Sequence, residues 1–171
     1  MNKNTVGFTL IELIIYVALI AIFISGAITF SWDVMYGGAK SAIEREVNQN
    51  IRLASKRIVY EIRNASAINS IAANSVCLAS ATPARNPTRI YLSNGKMRIA
   101  WGGGSGDCTN MINDLPLTSD QVTVTQLTLT NRSSGALSTN IEFSITLASN
   151  ASRQEWQQSQ SYGGTAELRS H

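Results

Sequence analysis

Between Leu13 and Phe30 the chain runs eighteen residues without a charge: Leu-Ile-Ile-Tyr-Val-Ala-Leu-Ile-Ala-Ile-Phe-Ile-Ser-Gly-Ala-Ile-Thr-Phe. As a helix this run is about 27 Å long at ~1.5 Å per residue, just enough to span the hydrocarbon core of a bilayer. Lys3 and the amino terminus precede it. Positive charge on that side keeps the amino end cytoplasmic and sends everything after Phe30 across the membrane. A competing reading is a cleaved secretory signal, because Ser25-Gly26-Ala27 offers the small residues at which a signal peptidase cuts.

The rest of the chain carries little reactive chemistry. Charged residues make up 15% of the 171, and 14 Lys+Arg against 11 Asp+Glu leave a net charge of +3. So few charges exclude a disordered charged tail and a charge-laced coiled coil, and so small an excess gives no reason to expect nucleic acid as the main partner. The one histidine is His171, the last residue, and the two cysteines are Cys77 and Cys108. A Ser-His-Asp triad, a Cys-His pair and a four-ligand zinc site all lack their parts. No enzyme is expected, and no residue set calls for a metal or cofactor.

Glu12 stands at the edge of the apolar run, behind Phe8, Thr9, Leu10 and Ile11. An acid inside a membrane costs on the order of 2.5–3.5 kcal/mol, and secretory signals carry basic rather than acidic residues there. A cut after Gly7 supplies a reason for it. Phe8 would then bear a free cationic amine one helical turn from Glu12, and a neighbouring subunit's amine is an equal candidate. Gly7 suits such a cut, since a residue without a side chain lets a protease approach the backbone closely.

The stretch Gly7-Phe8-Thr9-Leu10-Ile11-Glu12-Leu13, followed by the uninterrupted apolar run, resembles the processing motif of the type IV prepilin family. That family includes pilins, type II secretion pseudopilins and competence pseudopilins, and the six residues before Gly7 resemble its short type IVa leader. The resemblance implies cleavage between Gly7 and Phe8 by a membrane-embedded prepilin peptidase, N-methylation of Phe8, and a role for Glu12 in guiding the subunit into a growing filament. It further implies other pilins or pseudopilins as partners through a helix bundle, contact with the assembly platform, and a single membrane pass before assembly. The protein would then sit in an extracellular or periplasmic filament. The firm resemblance covers about residues 1–65.

Beyond Phe30 the residues Ile43, Val47, Ile51, Ala54, Ile58, Ile62 and Ala65 form one stripe of helical period. Arg45, Glu46, Arg52, Lys56, Arg57 and Arg63 fill the other faces. No proline occurs before Pro83, so one helix from Phe8 to about Asn64 is allowed, with Gly37-Gly38 as its weak point. Many major pilins kink that helix with a proline that this chain lacks, which points to a minor pilin or pseudopilin.

After Ala65 the pattern turns to short strands. Arg89–Ser93, Asn94-Gly95 and Lys96–Trp101 read as a hairpin, since Asn-Gly supplies the two positive-φ residues of a type I′ turn. Val122 to Thr130 alternates with a one-residue shift at Gln126, the sign of a bulge. Ile141 to Leu147 alternates without a slip, Ser133-Ser134-Gly135 marks the turn between them, and Thr165–Arg169 reads as a final edge strand. The expected fold class is α+β: a long helix, membrane half plus amphipathic half, whose outer half packs on a carboxyl-terminal antiparallel sheet. Domains follow as leader 1–7, membrane or filament-core helix 8–30, helical continuation 31–65 and strand-rich head 66–171. A strand-rich half ending in Thr-x-x-Leu-Arg is similar to the J-type pseudopilins and W-type minor pilins.

Four further features lie in the head. Cys77 and Cys108 bracket the hairpin, and an oxidising compartment would let them form a structural disulfide; two independent buried thiols are the alternative. Arg85, Arg89, Lys96 and Arg98, with Tyr91 and Trp101, could contact DNA or simply form a solvated face. The run Gly102-Gly103-Gly104-Ser105-Gly106-Asp107 lacks the Gly-Lys-Ser/Thr of a phosphate loop and reads as a turn. Asp107, Asp114 and Asp120 are too far apart for an EF-hand loop. The functional expectation is a minor pilin of a type IV pilus-like filament, with a J-type pseudopilin of a type II secretion or competence system as the alternative and a secreted binding domain with a cleaved signal peptide as the third reading.

Overall fold

A computed structural model describes residues 7, 9–103, 106–134 and 139–169. Helix α1 (Leu10–Arg63) runs for 54 residues and passes through Gly37 and Gly38 without a break. Among the described residues, nothing within 4 Å meets a Cβ built on either glycine, so neither is required there by close packing. The chain divides into compact units at Ser41 and Ala42, so the outer part of α1 belongs with the strands.

In the second unit the strands form two sheets where one was expected. The first has order β1-β2-β3-β4-β5, with β1 Ala65–Ala72, β2 Ser75–Ser80, β3 Thr88–Ser93, β4 Lys96–Trp101 and β5 Asn113–Pro116. The second is β6-β7-β8, with β6 Val122–Asn131, β7 Asn140–Ser149 and β8 Ser159–Glu167. All pairings are antiparallel. The ladder breaks at β6 because its free edge meets hairpin turns instead of a strand. Val124 N–H donates to Gly95 O at 2.8 Å and Leu129 N–H to Ala73 O at 2.9 Å.

The β3–β4 hairpin has the expected turn, with Asn94 at φ 51° and Gly95 at φ 70°, and its register runs from Ser93↔Lys96 to Thr88↔Trp101. A Cβ on Gly95 would also come within 2.9 Å of Thr123 Cγ2, so both conformation and space demand glycine there. In β6 the register shifts between Val124 and Gln126. The bulge returns Leu127 and Leu129 to the face used by Val122 and Val124, and all four are buried. The last strand corrects the expected Thr165–Arg169: β8 starts at Ser159 and stops at Glu167. Its pairing with β7 runs without slip from Ala148↔Ser159 to Asn140↔Glu167, so β7 carries the chain through Gly163-Gly164, a pair that weakens an isolated strand.

The core joins the helical stripe to both sheets. Val47, Ile51, Ala54, Ile58 and Ile62 of α1 are buried, with Ile43 half-buried, while Ala65, expected to end the helical stripe, is buried as the first residue of β1 because the helix stops at Arg63. They pack in one cluster with Val76, Leu78, Ile90, Met97 and Ile99 from the first sheet and Ile141, Phe143, Ile145 and Leu147 from the second. Polar side chains fix the helix in register on this core. Asn50 is buried; its amide donates to Glu46 Oε1 at 2.8 Å, its Oδ1 accepts from Ser119 N–H at 2.8 Å, and Ser119 Oγ donates to Glu46 Oε1 at 2.7 Å. Asn50→Ala strands the Ser119 amide and loosens Glu46, so a loss of about 1–3 kcal/mol is expected in head unfolding by denaturant. Further along α1, buried Glu61 takes Arg57 Nη2 at 2.6 Å and Arg85 Nη2 at 2.8 Å, tying the helix to the turn before β3.

Candidate functional site

The amino-terminal part of α1 starts at a cap. Glu12 N–H donates to Thr9 Oγ1 at 3.4 Å, and Leu13 N–H donates to Thr9 O at 3.3 Å. Thr9-x-x-Glu12 is therefore a capping-box pattern, a signal present in the sequence and missed there. It gives Glu12 a local role, since an acid in the first turn complements the positive end of the helix dipole. Gly7 is exposed, with nothing within 4 Å of a Cβ position. Phe8, the expected methylation site, lies outside the described residues.

From Thr9 to Gly38 every residue is exposed. Phe23 shows 82% of its surface, Leu10 77% and Ile22 70%. An 18-residue window of this helix has mean hydropathy 2.6 and none of it is buried. Its few hydroxyls bond to the helix's own carbonyls: Ser25 Oγ to Ile22 O at 2.8 Å, Thr29 Oγ1 to Gly26 O at 2.9 Å and Ser31 Oγ to Ala27 O at 2.8 Å. A segment surrounded by lipid or apolar side chains needs its polar groups satisfied in this way. Trp32 and Tyr36 stack at 5.9 Å between ring centroids where the charges resume at Asp33, a place where amphipathic aromatics mark a membrane–water boundary. Such a segment can be inserted in a membrane or packed against other apolar helices.

Cys77 in β2 is bonded to Cys108 in the β4–β5 connection, with 5.9 Å between their Cα atoms. Of the two readings left open by the sequence, the disulfide is the one found. The loop around it is tightly wound: Gly102, Gly103, Cys108 and Asn110 all have positive φ. A Cβ on Gly103 would come within 2.5 Å of Asn110 O. Asn69 Nδ2 donates to Gly106 O at 2.6 Å, and Thr109 donates to Asp107 Oδ1 from Oγ1 at 2.8 Å and from N at 3.2 Å. Those two bonds hold the Asp107 carboxyl below its usual range. Gly104 and Ser105 lie outside the described residues, as do Gly135 and His171.

The basic residues around the hairpin are mostly engaged within the head. Arg85 pairs with Glu61 and lies 5.2 Å over the Trp101 ring, and Arg89 lies 4.8 Å over Tyr91. Lys96 Nζ donates to the carbonyls of Ser119 and Val122 and sits 3.2 Å from Asp120 Oδ1. Arg98 Nε pairs with Asp114 Oδ1 at 3.0 Å, while Tyr91 OH donates to Asp114 Oδ2 at 2.7 Å. Partial burial works against the Asp114 carboxylate, but the bonds from Tyr91 and Arg98 outweigh it and hold the group below its usual range.

The family comparison falls on the exposed helix. The chain matches the prokaryotic N-terminal methylation motif over residues 4–28. The motif at the start of a long helix packed on antiparallel sheets supports a type IV pilin-like reading of the chain. The motif and the apolar helix fit a membrane-anchored pilin. Among curated proteins and among solved structures, nothing matches the chain.

Proposed function

We propose that this protein is a minor pilin subunit of a type IV pilus-like filament. It is held in the cytoplasmic membrane by its apolar helix with the amino end inside, cut between Gly7 and Phe8 by a prepilin peptidase, N-methylated on Phe8, and drawn by the assembly platform into a bundle of other subunits' helices. The uncovered apolar face from Leu10 to Phe30 carries the proposal. Moving it from lipid to a bundle exchanges one apolar surrounding for another, so the driving force comes from packing and from polar groups finding partners. Glu12 is the clearest such group, and a neighbouring subunit's Phe8 amine is its proposed mate.

A J-type pseudopilin of a type II secretion or competence system would use the same helix in a short periplasmic or wall-spanning fibre. Shearing separates the two. The pilus reading expects the protein in filaments shed into the medium, whereas recovery only from the cell envelope would favour the pseudopilin. DNA contact by the hairpin is the weaker proposal, because Arg85, Lys96 and Arg98 already have carboxylate partners.

A further inference from the structure

The two sheets present four edges, and three are blunted. Strand β1 carries two register shifts, between Ala65 and Ala67 and between Ile68 and Ser70. Strand β5 has only four residues and ends in Pro116, which has no N–H. The free edge of β6 is covered by the turn carbonyls of Gly95 and Ala73. Bulges, short length, proline and cover are the standard means of stopping a sheet from recruiting another strand.

Strand β8 has none of them. Its nine residues, Ser-Gln-Ser-Tyr-Gly-Gly-Thr-Ala-Glu, hold no proline and no lysine, and their one charge is the terminal Glu167. The pairing with β7 has no register shift. Among the described residues, its outer edge makes no backbone hydrogen bond.

A groove of about 570 Å³ lies along that strand, with Val59 and Tyr60 of α1 on one side and Tyr162 and Thr165 of β8 on the other. Lys56, Arg63 and Arg169 also line it. No salt bridge engages these three cations among the described residues, Glu167 included. Among the described residues, the groove thus combines a strand edge without backbone partners, apolar and aromatic walls and three cations that no salt bridge engages.

We infer that β8 accepts an extended, acidic segment of a neighbouring subunit as a fourth strand, with its carboxylates on Lys56, Arg63 and Arg169. Backbone pairing supplies affinity in such strand addition, and side chains and charge supply selectivity. The inference rests on the filament reading for the source of the segment, but the pairing itself is measured on the isolated chain, so either can fail without the other.

The test uses the full chain in detergent micelles with synthetic peptides matching the nine residues of β8 in length. One alternates valine and threonine with glutamate at both ends; a second has lysine at the ends; a third and a fourth are the glutamate peptide N-methylated at one or the other set of alternate amides. The glutamate peptide is expected to slow hydrogen exchange at Ser159–Glu167 and to bind about tenfold tighter than the lysine peptide. N-methylation on the pairing edge should abolish protection, and the Lys56→Glu, Arg63→Glu, Arg169→Glu triple variant should reverse the preference between the charged peptides. Four results would overturn the inference. They are unchanged β8 exchange with every peptide, equal protection by both N-methylation patterns, β8 protection that rises with protein concentration alone (a second copy on the edge), and tighter binding of a single-stranded oligonucleotide that leaves β8 unprotected.

Discussion

Replacing Glu12 with valine is expected to leave cleavage after Gly7 largely intact while cutting incorporation into filaments by about tenfold or more. A charge-assisted hydrogen bond contributes roughly 1.5–3 kcal/mol, and each 1.4 kcal/mol is about tenfold in an equilibrium. The cut depends on Gly7 and its neighbours, which the substitution does not touch. Glu12 also sits three residues after Thr9, whose side chain caps the helix, so a second variant separates local capping from attraction between subunits. Glu12→Gln keeps a side chain suited to a capping box but not the charge. Both variants should assemble poorly if the charge acts between subunits. Normal incorporation of the glutamine variant would assign Glu12 to capping alone, and normal incorporation of the valine variant would remove the electrostatic proposal altogether.

The second large effect concerns the head. Cys77→Ser combined with Cys108→Ser opens a loop with a sequence separation of 31 and should lower stability by about 3–4 kcal/mol on chain-entropy grounds. In a domain of this size that is a fall in melting temperature of roughly 10 °C. The bond clamps the β4–β5 connection to β2, and that connection holds several residues at positive φ that would relax once released. Hydrogen exchange should therefore rise first around residues 106–112. A melting temperature unaffected by dithiothreitol would show that the surrounding hydrogen bonds suffice.

How far the sequence revealed this architecture depended on how local each signal was. The helix was legible because its apolar stripe and the lack of proline before Pro83 act over many turns. The β3–β4 hairpin was legible because Asn94-Gly95 fits one turn type. The bulge at Gln126 showed because it flips an otherwise clean alternation. Strands β1 and β2 were not read individually, as Ala65–Ser80 is rich in Ser, Ala and Asn with little alternation, and its pairing is set by neighbouring strands. Strand β5 is wholly exposed and has no buried face to leave a pattern. Strand β8 was read short because Gly163-Gly164 signals a break locally while β7 enforces extension. The division into two sheets depends on backbone bonds from β6 to the turns at Ala73 and Gly95, which side-chain patterning does not encode.

At the amino-terminal site, Gly7, Phe8 and Glu12 were named from the motif, and the comparison falls on the same segment. Thr9 was overlooked, although Thr-x-x-Glu before an apolar run is a known helix start. The open edge of β8 and the cations facing its groove were invisible in sequence, since Lys56, Arg63 and Arg169 come together only through the fold.

The most direct measurement is the intact mass and amino-terminal sequence of the protein recovered from filaments. The expected product begins at Phe8 with a methylated amine, its first seven residues gone. A functioning filament subunit that retains residues 1–7, or a mature chain starting at Ile28 after signal-peptidase cleavage, would contradict the proposed route of assembly.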